Sequence, residues 1–143
     1  MYRAPELRKL SREHNDALTL ARDVRWARLS GEAWLAQRAA YELALAWQSA
    51  MEAHFGDEER VLRPYFTDAE RGDFDEQHAR LRAGFADLLA SVTEHQADPD
   101  LAAELADALR AHVRWEEQTL YPALQSRLQP QELAAVGAAL GVP

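Results

Sequence analysis

The sequence contains no cysteine, only six glycines and six prolines, and no long uninterrupted run of apolar residues. Without thiols the chain can form neither disulfides nor thiolate metal sites, iron–sulfur clusters or thiol nucleophiles. Any metal must therefore be bound by His, Asp, Glu or Tyr. Charges interrupt every apolar run well short of a membrane span, and no stretch suits a signal peptide, which predicts a cytoplasmic protein.

What is present is an acidic chain of 143 residues, of which 48% are hydrophobic. That length provides one sizeable hydrophobic core, so we predict a single domain over residues 1–143. The 24 acidic residues outnumber 16 basic ones and give a net charge of -8. Because this charge repels phosphate backbones and anionic lipid head groups, we expect neither nucleic-acid nor membrane partners.

The hydrophobic pattern predicts an all-α protein. Apolar positions recur at three- and four-residue steps, and no useful segment shows the alternation of a strand. Short connections favour antiparallel neighbours, hence an up-down-up-down antiparallel four-helix bundle with a short C-terminal helix. That last helix is predicted to lie across an end of the bundle or to mediate self-association. The predicted helices span about residues 5–29, 32–63, 68–95, 99–128 and 131–140.

Residues with special backbone or side-chain roles mark the helix ends. Gly31 is a natural stop for the first helix. Thr67 with Glu70 three residues later forms the pattern of a capping box at the start of the third helix. Asp98 is suited to the N-cap position of the fourth helix, because its carboxylate can accept hydrogen bonds from free backbone N–H groups.

Four of the five histidines fall at one level once these helices are laid antiparallel. His14 and His78 lie about 14 Å from the starts of the first and third helices, at a rise of about 1.5 Å per residue. The second and fourth helices each carry His-x-x-x-Glu, with these residues ten and six positions before a proline. The predicted layer consists of His14, His54, Glu58, His78, His112 and Glu116.

An internal repeat supports this layer independently of the helix ends. Residues 53–64 match residues 111–122 in every motif position, at an offset of 58 residues. A looser repeat joins Glu13-His14 to Gln77-His78 at an offset of 64 residues. The chain therefore resembles two duplicated helix pairs.

Residues four apart lie on one helical face, so each His-x-x-x-Glu directs an imidazole and a carboxylate at the same point in the core. A single copy is typical of an exposed ion pair, but two matched copies with two further histidines indicate a metal centre. Carboxylates can bridge two cations, and two divalent ions would satisfy a buried layer that is otherwise costly. Nitrogen and oxygen donors favour iron, with zinc or manganese as alternatives.

Several other residues are predicted to lie outside the ligand set. Glu59 and Glu117 follow the proposed ligands and are rotated by about 100° from their face, which favours a solvated or supporting role. His95 is predicted to be solvent-exposed. Gly56 is unusual inside a helix, and it either opens space beside the site or allows close helix packing.

At these residues, from about Leu7 to Leu128, the sequence resembles the hemerythrin-like family of HHE cation-binding domains. The resemblance implies an oxo- or hydroxo-bridged di-iron centre in which Glu58 and Glu116 are the bridging carboxylates. In the family, the helices carry in turn His, His-x-x-x-Glu, His and His-x-x-x-Glu. The matching residues here are His14, His54 with Glu58, His78, and His112 with Glu116.

The resemblance is closer to some members of the family than to others. Oxygen-carrying hemerythrins have a fifth histidine where this chain has Phe74, and an Asp five residues after the last histidine where Glu116 stands at four. The site is more similar to the four-His, two-carboxylate members linked with iron sensing or nitrosative-stress repair. The repair proteins carry a Cys-containing region, whereas this sequence has no cysteine. Ferritin-like bundles differ, because their pairs run Glu-x-x-His.

Three functions are consistent with this sequence. The leading hypothesis is a non-haem di-iron protein that senses, binds or detoxifies a small diatomic or anionic ligand such as oxygen, nitric oxide or peroxide. The second is an oxidase or peroxidase-like enzyme that uses the same centre. The third is a helical interaction module with a structural metal, which forms a homodimer through the segment 131–140.

Overall fold

A computed structural model describes residues 2–94 and 96–142, and within those ranges the chain forms five helices and no strand. The predicted all-α class is therefore confirmed. Helix α1 follows a 3₁₀ turn, Pro5–Leu7, and α2 is followed by another, Arg63–Tyr65. The helices are α1 (Arg8–Leu29), α2 (residues 33–62), α3 (Asp68–Glu94), α4 (residues 99–127) and α5 (Pro130–Ala139).

The local signals at the helix ends behave as predicted. Gly31 follows α1 with φ of 75°, a left-handed conformation that glycine adopts without steric cost. The Thr67 N–H donates to the Glu70 carboxylate (2.9 Å), and the Glu70 N–H donates to the Thr67 hydroxyl (3.2 Å), which completes the capping box. Asp98 accepts hydrogen bonds from two backbone N–H groups in the first turn of α4. The predicted end of the third helix at residue 95 lies outside the described residues.

Helices α2 and α4 are not regular throughout. Each contains a π-helical turn that starts at a glutamate of the predicted layer, Glu58–Leu62 in α2 and Glu116–Leu120 in α4. In these turns the N–H of Arg63 and of Tyr121 bonds to a carbonyl five residues earlier. The hydrophobic pattern does not predict these turns, although the 58-residue repeat places them at equivalent positions.

The prolines after these turns have different effects. Pro64 lies in the 3₁₀ turn that follows α2, where it cannot continue the helix. Pro122 neither ends α4 nor stops its hydrogen bonding, because the helix continues to Arg127. In a π-helical turn the N–H groups bond to carbonyls five residues earlier instead of four. The proline that directly follows such a turn is tolerated, because the change back to four-residue spacing does not require its missing N–H.

Two apolar clusters lie on either side of the predicted layer. The first, here called the distal core, includes Ala17, Leu43 and Phe85, and the second, the terminal core, includes Leu10 and Phe74. Along α1, for example, His14 stands between Leu10 of the terminal core and Ala17 of the distal core. The six polar residues therefore interrupt what would otherwise be one continuous core.

Helix α5 packs across the end of the terminal core. Val136 and Leu140 are 1% and 5% exposed and belong to that cluster, and Gly137 lies against Glu6 of the first 3₁₀ turn. The segment therefore packs across the end of the terminal core, as predicted, and its role in self-association stays a prediction. Among the described residues, none of the helices combines the length and apolar character that crossing a membrane requires.

Candidate metal centre

The six side chains of the predicted layer meet in the interior. Their residues are between 0% and 6% exposed, although four are histidines and two are glutamates. The backbone positions them through the four-residue spacing on α2 and α4 and through the matched heights of single histidines on α1 and α3. This arrangement places every predicted ligand in the same cluster.

The ligand atoms fall into two groups that share both carboxylates, and in each group they lie within 4.8 Å of one another. Site A contains His14 and His54, site B contains His78 and His112, and Glu58 and Glu116 belong to both sites. The short separations are His14 Nε2–Glu116 Oε1 2.9 Å, His54 Nε2–Glu58 Oε1 3.3 Å, His78 Nε2–Glu58 Oε1 3.4 Å and His112 Nε2–Glu116 Oε1 3.1 Å.

The atoms that face the centre of the cluster lack hydrogen-bond partners within the described chain. These atoms are the Nε2 atoms of all four histidines, Oε1 of Glu58 and both carboxylate oxygens of Glu116. Buried polar atoms are normally paired, because leaving them unpaired costs free energy. Imidazole nitrogens and carboxylate oxygens that converge without partners suit divalent cations, so these residues fit a metal site.

The opposite ring nitrogen of each histidine is hydrogen-bonded. A partner at Nδ1 fixes the proton on that atom and leaves the Nε2 lone pair directed at the cluster, as in metal-binding histidines generally. Three of the partners are carboxylates and one is an amide. The pairs are His14 with Glu117 (2.7 Å), His54 with Glu13 (3.0 Å), His78 with Glu59 (2.7 Å) and His112 with Gln77 (2.6 Å).

Two of these partners were singled out by sequence and two were missed. Glu59 and Glu117 take the supporting role that their rotation off the ligand face predicted. Glu13 and Gln77 were noticed only as neighbours in the repeat, although each directly precedes a ligand histidine and could have been assigned the same role by that symmetry. His95 lies outside the described residues, so the prediction of its exposure stands untested.

The three carboxylate partners each have a cation close by. Glu59 receives two hydrogen bonds from the Arg82 guanidinium, at 2.8 and 3.2 Å. Glu117 accepts from Arg3 at 3.2 Å, and also from a serine hydroxyl. The Lys9 ammonium lies 3.8 Å from Glu13. These pairs hold the outer carboxylates ionised and in place.

Tyr121 is a further functional residue that the sequence analysis missed. Its hydroxyl donates to Oε2 of Glu58 at 2.6 Å, and its fully buried ring stacks beside His14 with 5.3 Å between centroids. This hydrogen bond satisfies the one oxygen of the two shared carboxylates that does not lack a partner. The repeat could not reveal it, because Arg63 occupies the equivalent position in the other half.

Aromatic rings enclose the site B imidazoles. Phe74 and Phe55 pack against His78 with centroid separations of 3.8 and 4.2 Å, and Trp115 lies 6.3 Å from the ring of His112. Phe74, which stands where oxygen-carrying hemerythrins have a fifth histidine, is completely buried as a packing residue. The cluster therefore gains no fifth imidazole from this position.

The carboxylates change the acid–base behaviour of the histidines. Burial lowers the pKa of His14, but the close approach of the neighbouring carboxylates, Glu116 first and then Glu117, outweighs burial and raises that pKa to about 9. For His54 burial again opposes, and the charge of Glu58 leads the contributions that raise its pKa to about 10. The pKa of His78 is raised for the same reasons. Without metal, His14 and His54 carry protons at neutral pH.

Two cavities reach the cluster from different sides. A small, largely apolar cavity of about 70 Å³ adjoins His14 and His54 and is lined by side chains of α1, α2 and α4. An open, more polar groove of about 590 Å³ between α3 and α4 reaches Gln77 and His112. His112 also lines the small cavity, so that cavity reaches both sites, whereas the open groove reaches site B alone.

An all-helical protein with a buried cluster of histidines and shared carboxylates is compatible with binding metal cations. The model of the hemerythrin HHE cation-binding domain family matches residues 71–138. This range contains His78, His112 and Glu116, and over it the predicted resemblance is confirmed. Comparison with curated proteins and with solved structures gave no match.

Proposed function

We propose that this protein holds a non-haem di-iron centre and senses, binds or detoxifies a small ligand such as oxygen, nitric oxide or peroxide. The observation that carries the proposal is that sites A and B share Glu58 and Glu116. Two carboxylates common to two imidazole pairs form the donor arrangement of a dinuclear centre. The six proposed ligands are His14, His54, Glu58, His78, His112 and Glu116.

The same proposal includes the up-down-up-down four-helix topology and a single domain over residues 1–143. The order of core residues along the chain supports it. On α1, Leu10 of the terminal core precedes His14, and on α3, Phe74 of the terminal core precedes His78. On α2 and α4 the order is reversed, since terminal-core residues follow the ligands. Alternating order along successive helices is expected of antiparallel neighbours.

When bound, the two ions supply redox chemistry and coordination positions for a small ligand. Each site offers two imidazoles and two shared carboxylates from the protein, and the mixed donors support iron, with zinc and manganese as competing occupants. The hydrogen bonds at Nδ1 hold each imidazole in the orientation that directs Nε2 inward. The family resemblance adds the oxo or hydroxo bridge.

The small cavity beside site A supports a ligand of a few atoms. At about 70 Å³ it can take a diatomic molecule or a small anion, and a larger organic substrate would not fit. Buried Ala17, Leu109 and Val113 line it and exclude water from most of its wall. This geometry favours binding of oxygen or nitric oxide over turnover of a bulky substrate.

The test is an anaerobic Fe(II) titration of the metal-free protein, followed by addition of oxygen or nitric oxide and recorded by visible absorption. We expect two irons per chain and a new absorption band with either ligand. His54→Ala and Glu116→Gln should reduce the iron content, whereas Glu52→Gln, an exposed change on α2, should not. Fewer than two irons per chain, or unchanged iron content in both ligand variants, would contradict the proposal.

If the metal-loaded protein shows no change in visible absorption with nitric oxide, oxygen or azide, the metal would instead be structural. Multiple turnovers of peroxide or oxygen with a reductant would indicate the enzyme. The cytoplasmic location and a homodimer are also part of the proposal, and the mass of the metal-loaded protein in solution tests the latter.

A further inference from the structure

We propose that the two metal positions are unequal, with the ion in site A bound more tightly than the ion in site B, because Glu13 supports site A where Gln77 supports site B. The inference rests on the proposed dinuclear centre and goes beyond it by assigning different roles to its two halves. It depends on the outer hydrogen-bond partners and not on the six ligands, which are matched between the sites.

The repeat makes the comparison direct. Glu13 and Gln77 each directly precede a ligand histidine, and each accepts from a histidine on the neighbouring helix of its own half, at 3.0 and 2.6 Å respectively. The partners that follow the shared carboxylates, Glu117 and Glu59, are identical in type and both lie at 2.7 Å. The difference between the outer partners of the two sites is therefore one carboxylate replaced by one amide.

The exchange of a carboxylate for an amide changes how strongly the imidazole Nε2 donates electrons to a metal. A carboxylate that accepts the Nδ1 proton makes Nε2 more basic than an amide carbonyl does, and changing such partners typically alters metal affinity by about 10–100-fold. Site A has this support behind both imidazoles, while site B has it behind His78 alone. The nearby cations do not cancel the difference, because the matched carboxylates each bond to an arginine, Arg3 on Glu117 and Arg82 on Glu59. The additional carboxylate, Glu13, has only Lys9 at 3.8 Å.

The surroundings of Gln77 also favour weaker binding of the ion in site B. Gln77 and His112 line the open groove together with Arg80, Glu104 and Asp107. Neither imidazole of site A lines this groove. The ion in site B therefore has the weaker support and adjoins the wider opening, so the geometry makes it the ion that exchanges.

Tyr121 does not account for the inequality. Its hydroxyl bonds to Glu58, which both sites share, and it remains in place in every variant below. Its neutral hydrogen bond adds no charge to either site. The effects of changing Glu13 and Gln77 can therefore be compared while the Tyr121 hydrogen bond stays the same.

The experiment is a Co(II) titration of the metal-free protein, recorded by visible absorption with a competing chelator. Two ions held by shared carboxylates repel each other, so two binding steps alone prove nothing, and the test is which step each variant changes. Glu13→Gln should weaken the first step by about 10–100-fold, and Gln77→Glu should strengthen the second by a similar factor. The exposed changes Glu52→Gln and Gln48→Glu provide matched charge controls and should alter neither step.

The double variant Glu13→Gln with Gln77→Glu keeps the total charge and should exchange the order in which the sites fill, which a change in Co(II) absorption would report. Two bound ions with Glu13→Gln acting on the second step, or with neither variant changing its step, would overturn the inequality and leave the dinuclear centre standing. Fewer than two Co(II) bound by the unaltered chain would contradict the dinuclear centre itself.

Discussion

At the scale of single residues, each histidine of the polar layer has different surroundings at its two ring nitrogens. Nε2 faces the shared carboxylates, while Nδ1 bonds to a carboxylate or an amide on another helix. Tyr121 has the same supporting function for a carboxylate, since its hydroxyl bonds to Glu58. The positions of the ligand atoms thus depend on residues that would not themselves touch a metal.

Replacing Tyr121 by Phe should destabilise the metal-free protein by about 1–3 kcal/mol, because a completely buried oxygen of Glu58 loses its hydrogen-bond donor. The free energy of unfolding in urea measures this loss. Tyr41→Phe, a half-exposed change on α2, is the matched control and should cost little. Equal losses for the two variants would show that the hydrogen bond to Glu58 does not matter.

The residues of the site divide into those that spacing reveals and those that it hides. The six proposed ligands follow from two rules, since four-residue spacing sets the helical face and equal distances from helix ends set the height. Glu13, Gln77 and Tyr121 escape these rules because their contacts run between helices. The rotation of one helix against another depends on packing throughout both cores, which no local pattern encodes.

At the scale of helices, two glycines show that the sequence pattern alone does not predict the packing around a backbone position. The sequence offered two reasons for Gly56, and the structure removes one of them, because a Cβ there would meet no atom within 4 Å. Close packing is instead needed at Gly84, where a Cβ would collide with the side chain of Leu105 on α4. Periodicity marks both as glycines inside helices and cannot distinguish them.

The two glycines therefore predict opposite results for the same substitution. Gly56→Ala should stabilise the metal-free protein by about 0.5–1 kcal/mol, since alanine has the higher helix propensity and meets nothing. Gly84→Ala should destabilise it by about 1–2 kcal/mol, because displacing buried Leu105 costs more than the helix gains. Urea unfolding measures both, and stabilisation by Gly84→Ala would contradict the packing described for α3 against α4.

At the scale of the whole molecule, a polar layer divides the hydrophobic core into the terminal and distal cores. The composition predicted one core of ordinary size, and the histidine positions predicted where it would be interrupted. The position of α5 could not be chosen between two alternatives from its sequence, because its apolar residues suit either a bundle end or a partner. Burial of Val136 and Leu140 shows that the segment packs against the terminal core, and its role in self-association stays a prediction.

The charged layer predicts how the stability of the metal-free protein depends on pH. The pKa values of His14 and His54 are raised from 6.5 to about 9 and about 10. Their protonated forms therefore contribute stability that is complete below about pH 6.5 and is lost as the pH rises to about 10. The pKa of Glu58 is lowered, chiefly by His54 against the opposing effect of burial, so acid below about pH 4.5 also destabilises the fold.

We therefore expect urea midpoints of the metal-free protein to fall steadily between about pH 6.5 and pH 10. His54→Gln should have a shallower decline, because one of the titrating groups is gone. A midpoint that rises over this interval would contradict the ionisation states assigned to the layer.

The position of Trp115 also allows metal binding to be followed by tryptophan fluorescence. Its ring lies 6.3 Å from His112 of site B, while two of the other tryptophans, Trp26 and Trp34, are mostly exposed at 71% and 61%. A paramagnetic ion quenches emission from an indole this close, whereas the exposed indoles supply a steady background. If site A fills first, the emission from Trp115 should decrease less during the first equivalent of metal than during the second.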